Sequence, residues 1–166
     1  MPHLFSKLYD RKSWPHWVDS DGDCQNTRHE LLNATSQSPV SFKDHRRCIV
    51  LGGSWFDVYT GIRFTQASDL DVDHVVPLSH AHSHGAAEWT KDQKRAFAND
   101  PDNLLVVDDS TNRAKSDMGP HKWMPPRRRY WCEYINKWMA IKDKYVLTYD
   151  TLESEVLSQL EFQCIN

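Results

Sequence analysis

Between Asp69 and Leu78 the chain reads DLDVDHVVPL, an apolar strand pattern carrying three carboxylates and a histidine. Strand alternation sets Asp69, Asp71 and Asp73 on one face and His74 on the other. Carboxylates beside a core are costly unless compensated, and a bound cation would compensate them. An imidazole near its ordinary pKa can move a proton at neutral pH. The charge elsewhere is uneven. From Asn112 to Lys144 nine basic residues, among them Arg113, Lys115, Lys122, Arg127, Arg128 and Arg129, stand against three acidic ones, in a chain of net charge -3. A basic stretch beside an acidic cluster suits a phosphate substrate approaching a bound cation, and a solvated helix face has the same composition.

These groups must be held by the elements around them. Pro77 should close the Asp69 strand, and the strand should end at the Asp73–His74 pair if both side chains are to reach one phosphate. NLLVV, Asn103 to Val107, reads as a second strand. Asp109, Ser110 and Thr111 are cap candidates for a helix beginning near Asn112. Between the strands, Thr90 and Gln93 form a capping box for a helix through Phe97 that stops before Pro101. Upstream, Thr27 with Glu30 caps the short helix TRHELLNATS, and CIVLGGSWFDVYTG suggests two short strands around Gly52 and Gly53. Downstream, Trp131, Tyr134, Ile135, Trp138, Ile141 and Tyr145 recur at helical spacing. Asp150 and Glu153 then cap a last helix with Leu152, Val156, Leu157 and Leu160 on one side. The fold class is α+β, and 166 residues suffice for one domain, residues 1–166.

The ordered strings DVDHVVPL, DPDN and NRAKSD resemble the HNH endonuclease family, whose ββα-metal motif runs in this order; the HNH domains of CRISPR effector nucleases carry a closely similar series. The wider chain, through HWVDSDGDCQNTRHELL, FANDPDNLLVV, KWMPP and the cysteine-bearing C-terminal helices, is similar to a bacterial HNH family of secreted nucleases and GmrSD-type C-terminal domains. The resemblance implies a ββα-metal core over about 68–124, a helix-rich surround and a C-terminal helical hairpin over about 127–164. It implies His74 as general base, Asp73 and Asn112 as ligands of one divalent cation, and Asn103 as a brace for the loop carrying the histidine. Oxygen donors suit Mg²⁺ first and Mn²⁺ as the alternative. The same resemblance brings Arg28 and Glu30 toward the site, Arg28 as a phosphate clamp, while Asp71 and Glu30 would orient ligands. Arg113, Lys115, Lys122, Arg127 and Arg128 are the expected substrate contacts. The implied activity is hydrolysis of DNA, double- or single-stranded, to 5′-phosphate and 3′-hydroxyl ends. Nothing resembles a separate base-reading module, so little sequence preference is expected. RNA, or a toxin role, is the alternative substrate reading.

Four cysteines lack any C-x-x-C pair, which argues against a zinc ribbon. They are either buried thiols or two disulfides; sequence-local pairing, Cys24 with Cys48 and Cys132 with Cys164, closes two loops. The pairing and the resemblance both favour a secreted or periplasmic protein. The opening MPHLFSKLYDRKSW lacks the layout of a signal peptide, so the chain is either not exported by that route or a mature form with an added Met. No apolar run approaches a membrane span, and a monomer is expected. Asp19, Asp21, Asp23 and Glu30 fall at positions 1, 3, 5 and 12 of a calcium loop, with Cys24 where glycine belongs; a non-catalytic calcium-stabilised module is therefore the reading from another class. His80, His82 and His84 alternate like a metal site, but directly after Pro77 they read first as a solvated loop. Trp123 is either a DNA contact or a core residue beside Pro125.

Overall fold

The strand that opened the sequence reading runs from Leu70 to His74 (β4) and ends at the histidine in the computed structural model, which describes residues 8–165. The first seven residues of the MPHLFSKLYDRKSW stretch, and Asn166, lie outside the described part. β4 pairs antiparallel with β5, Leu104–Asp108, with Asp73 opposite Leu105 and His74 opposite Leu104. A helix, α4, Asp109–Lys115, follows β5 directly. The expected strand–strand–helix order is therefore present, shifted by one residue at Asn103, which sits in a tight turn before β5. The cap of α4 is Asp108, whose carboxylate accepts from Thr111 N at 2.9 Å, rather than the residues from 109 on. Asp69 belongs to a 3₁₀ turn, Ala67–Asp69, so the strand alternation never reaches it.

Two segments flank this unit. Helix α1, Thr27–Thr35, is capped by Asn26, which accepts from His29 N; Thr27 lies inside the helix instead of capping it. A three-stranded antiparallel sheet follows, ordered β1 (Ser41–Phe42), β2 (Val50–Phe56), β3 (Arg63–Gln66). β2 passes through both Gly52 and Gly53, correcting the two-strand expectation. The close approach of Ser36 and the Trp55 ring to Gly53 leaves no room there for a Cβ, which accounts for glycine in mid-strand.

After β4, Pro77 caps α2, Leu78–Ala81, which widens into a π turn over His82–Ala86 and stops where Gly85 adopts φ +123°. α3, Lys91–Ala98, carries the expected Thr90–Gln93 capping box. The C-terminal hairpin comprises α5, Trp131–Lys144, and α6, Thr151–Ile165. α5 buries Tyr134, Ile135, Trp138 and Ile141 as its spacing requires, and α6 buries Leu157 and Leu160, whereas Leu152 is exposed.

The main core joins Trp14, Val75, Val76, Phe97, Val107 and the α5 face; a smaller one gathers Leu32, Val50, Trp55, Ala67 and Leu70 between α1, β2 and β4. β4 runs between these two clusters and so is covered on both sides, which is why Asp73 and His74 are both buried. Two disulfides, Cys24–Cys48 and Cys132–Cys164, staple the N-terminal segment and the hairpin as paired in the sequence reading. No helix among the described residues is long and apolar enough to cross a membrane.

Candidate catalytic site and nucleic-acid interface

A cavity of about 340 Å³ opens at the end of β4, and Asp73, His74 and Asn112 all line it, together with Tyr9, Arg11 and Ser79. Neighbouring residues on a strand face opposite ways; the two reach one cavity because regular pairing stops at His74. Beyond it, Asn103 clamps the chain. Its Oδ1 accepts from Val76 N at 2.8 Å, its Nδ2 donates to Val76 O at 3.0 Å, and its own carbonyl accepts from Val75 N at 2.9 Å. All of these groups are sealed from solvent.

His74 Nε2 lies 2.8 Å from the Ala98 carbonyl, at the end of α3. A carbonyl only accepts, so Nε2 carries the hydrogen and the neutral ring keeps its lone pair on Nδ1. Burial depresses the imidazole to a pKa of about 3 despite the Ala98 bond, with Arg11, Lys115 and His16 pushing the same way as burial. The ring is therefore in its base form at neutral pH.

Asp73 accepts from Tyr59 Oη at 2.6 Å and from Lys115 Nζ at 3.0 Å, one donor on each oxygen. Burial raises its carboxyl above the ordinary range while Lys115 and Tyr59 pull it back. Lys115 also donates to the His74 carbonyl at 2.8 Å. This corrects its expected substrate role: Lys115 is fully buried and holds both site residues from behind. Asn112 donates Nδ2 to Asp71 at 3.2 Å, which leaves its Oδ1 as a free oxygen donor. Arg28 donates to the Ala67 carbonyl at 2.9 Å and feels the charge of Asp71.

The remaining expected substrate contacts are not gathered on this cavity. Arg113 pairs with Asp109 at 2.9 Å on the exposed side of α4; Arg127 lies over Phe56 and Arg128 over Trp131; Lys122 lines a second cavity with His84 and Asp150. Arg28 and Glu30 do not line this cavity either; burial and the nearby Asp21, Asp23 and Asp19 raise the Glu30 carboxyl. Trp123 packs against Tyr59 and Tyr134, taking the core alternative. The residues missed by sequence reasoning are Tyr9 and Arg11. Arg11 is exposed, lines the cavity and has no ion pair among the described residues.

A family model for the C-terminal domain of GmrSD restriction endonucleases matches residues 23–160. The chain belongs to that family. This GmrSD-family chain is also 41% identical over 158 residues to an uncharacterized secreted protein of Arthroderma benhamiae (strain ATCC MYA-4681 / CBS 112371), a match covering 94% of the chain and 76% of that relative. No solved structure matches. Membership in a restriction-endonuclease family points to a nuclease acting on nucleic acid, and such enzymes are usually metal-dependent.

Three groups in this GmrSD-family fold carry side chains of the kind that bind a metal. Around the cavity, the Asp73 oxygens each hold a single donor, and a carboxylate has lone pairs for more. With the free Asn112 Oδ1 on the same wall, the donor set fits a hard divalent cation. The second group, His80, His84 and Glu153, has ligand atoms within 4.8 Å of one another. It does not fit a metal, because a cation of the protein already occupies it. Lys142 Nζ lies 2.9 Å from His80 Nε2 and 2.7 Å from Glu153 Oε1, which also accepts from Trp138 Nε1 at 2.8 Å. His80 and His84 are thus buried and stacked at 3.8 Å, which overturns the solvated-loop expectation. In the calcium-like loop the Asp19, Asp21 and Asp23 carboxylates cluster while accepting from backbone N–H groups of Gly22, Asp23, Cys24 and Gln25.

Proposed function

We propose that this chain is a secreted, metal-dependent endonuclease of the HNH type, hydrolysing DNA phosphodiester bonds with little sequence preference. The observation that carries the reading is the His74 hydrogen bond to Ala98, which leaves an Nδ1 lone pair on a residue sharing one cavity with Asp73 and Asn112. In this reading His74 takes a proton from the attacking water at Nδ1 while Nε2–H stays on the carbonyl. The new P–O bond forms as the bond to O3′ breaks, leaving 5′-phosphate and 3′-hydroxyl ends, the leaving oxygen taking its proton from solvent. Asp73 and Asn112 would hold one divalent cation, Mg²⁺ first and Mn²⁺ as the alternative, which when bound would offset the charge that develops on the phosphate and leaving oxygen. Lys115 and Tyr59 fix the Asp73 carboxylate; Asp71, with Arg28 beside it, orients the Asn112 amide. Arg11 meets a substrate phosphate, the role the sequence had given to the 113–128 cations.

Export is supported by the two disulfides, which persist in oxidising compartments, and by the description of the Arthroderma relative as secreted. The test is side-by-side digestion of double-stranded DNA, single-stranded DNA and RNA with Mg²⁺, Mn²⁺ and Ca²⁺, using the disulfide-intact protein. DNA cleavage that Asp73→Ala abolishes supports the reading. Cleavage of RNA alone moves the substrate class, and no cleavage of any substrate with any metal overturns the reading.

A further inference from the structure

Trp17 lies flat against the proposed general base. Its ring and the His74 imidazole are 3° from parallel with centroids 5.4 Å apart, an offset stack. The backbone there is unusual: Trp17 has φ +53°, a left-handed conformation that costs a bulky residue on the order of 1 kcal/mol or more. A strained residue persists only where its surroundings over-determine it, and here they do. On the N-terminal side Trp14 is buried against Trp89 and Phe97. On the C-terminal side the Val18 carbonyl accepts from both Thr27 N and Thr27 Oγ1. Asn99 ties the two ends together, donating to Pro15 O at 2.8 Å and accepting from Thr27 Oγ1 at 2.8 Å. Asn99 is also the neighbour of Ala98, whose carbonyl holds His74 Nε2. One turn at the end of α3 therefore receives the edge of the imidazole and anchors the strap whose ring covers its face.

Trp17 does not line the catalytic cavity, so its ring backs His74 instead of offering a platform to a substrate base. We infer that Trp17 is a positioning residue: it fixes the plane of the His74 imidazole, and the strap Trp14–Val18 exists to hold it there. The inference rests on the nuclease reading and names no new reactant. A carbonyl contact alone leaves the ring free to rock about the Nε2 axis; a flat neighbour removes that freedom and keeps Nδ1 aimed into the cavity. Misplacing a general base by about 1 Å costs up to about 100-fold in rate.

The experiment is a double-mutant cycle on the disulfide-intact protein, with Trp17→Ala, Trp17→Phe, His74→Ala and Trp17→Ala/His74→Ala assayed for cleavage of a DNA duplex under saturating metal. Trp17→Ala should lower kcat about 10- to 100-fold with KM within about twofold, and Trp17→Phe, which restores a flat ring, should stay within about threefold of wild type. On the residual rate of His74→Ala, the Trp17→Ala change should add nothing, because a residue acting through His74 has no effect once His74 is gone. Should Trp17→Ala fail to fold by thermal melting, Trp17→Leu, which fills the volume without a flat ring, takes its place with the same expectation. Should the His74→Ala rate be too slow to measure, the kcat-against-KM split and the Phe rescue decide. A wild-type kcat in Trp17→Ala, a loss confined to KM, a loss that persists on the His74→Ala background, or a Phe variant as slow as the Ala one overturns the inference. Wild-type protein that never cuts, or His74→Ala that cuts at full rate, refutes the nuclease reading itself and is read separately.

Discussion

Replacing Asn103 with alanine removes the side-chain clamp on Val76, two residues after His74. The amide side chain satisfies both the N–H and the C=O of Val76, at 2.8 and 3.0 Å, in a place where Asn103 and Val76 are each 0% exposed. Water cannot replace the lost partners without opening the core. Each buried backbone group left unpaired costs about 1–3 kcal/mol, so the pair costs about 2–6 kcal/mol. For a domain of this size about 2–4 °C of Tm goes with each kcal/mol, which sets the expected fall at about 5–20 °C. The backbone bond from Val75 N to the residue 103 carbonyl survives the substitution, so the turn loosens without dissolving. Urea unfolding with disulfides intact gives the stability change, provided the m-value is unchanged. Cleavage should be measured well below each variant's Tm, where a rate loss reports displacement of His74 rather than unfolding. A variant that melts within about 2 °C of wild type would refute the claim that this amide carries the loop.

Three other predictions concern groups away from the cavity, a buried ion pair, a buried histidine and the two disulfides. Lys142→Met strands the Glu153 carboxylate in a site where it is fully buried and should cost about 3–5 kcal/mol in urea unfolding, whereas Lys142→Met with Glu153→Leu should recover most of it; equal losses would contradict the ion-pair account. Burial, then Lys142 and His84, holds the His80 pKa far below 6.5, so the unfolded chain binds a proton there that the folded chain refuses. Stability is then present above about pH 6.5 and falls on acidification, by about 1–2 kcal/mol between pH 6.5 and 5; a Tm that stays flat or rises over that range would contradict it. The disulfides close loops with sequence separations of 24 and 32. Removing either by paired Cys→Ser substitution should cost about 3.5 kcal/mol in the chain-entropy model, and unchanged denaturant midpoints would show that the loops are held without them.

The residues at turning points of the chain were legible beforehand because their local patterns are strong. Asp73 and His74 end an alternating strand, Asn103 precedes an apolar run, and Asn112 stands in a helix with an acidic start. The pairing of the cysteines was legible for a similar reason, each pair being the nearest available. What escaped depends on contacts between distant segments. Lys115 looked like one more surface cation in a basic stretch, and only folding brings Asp73, 42 residues earlier, onto its ammonium. His80 and His84 looked solvated because their partners, Lys142 and Asp150, are more than 60 residues away. Among several polar neighbours able to cap, the cap at Asn26 lies one residue before the expected Thr27, and the cap at Asp108 lies one to three residues before the expected Asp109, Ser110 and Thr111. The strap Trp14–Val18 has no period, and although HWV opens one of the strings that carry the resemblance, nothing local places the Trp17 ring on His74; Arg11, further upstream, belongs to no quoted string.

The most direct test of the central claim is nicking of supercoiled plasmid by wild-type protein and by His74→Ala, with Mg²⁺ and with EDTA, followed by end-labelling of the products. The account predicts cleavage by wild type with Mg²⁺, none with EDTA, a loss of at least about 100-fold in His74→Ala, and ends bearing 5′-phosphate. Equal cleavage by His74→Ala, or cleavage undiminished by EDTA, would contradict it.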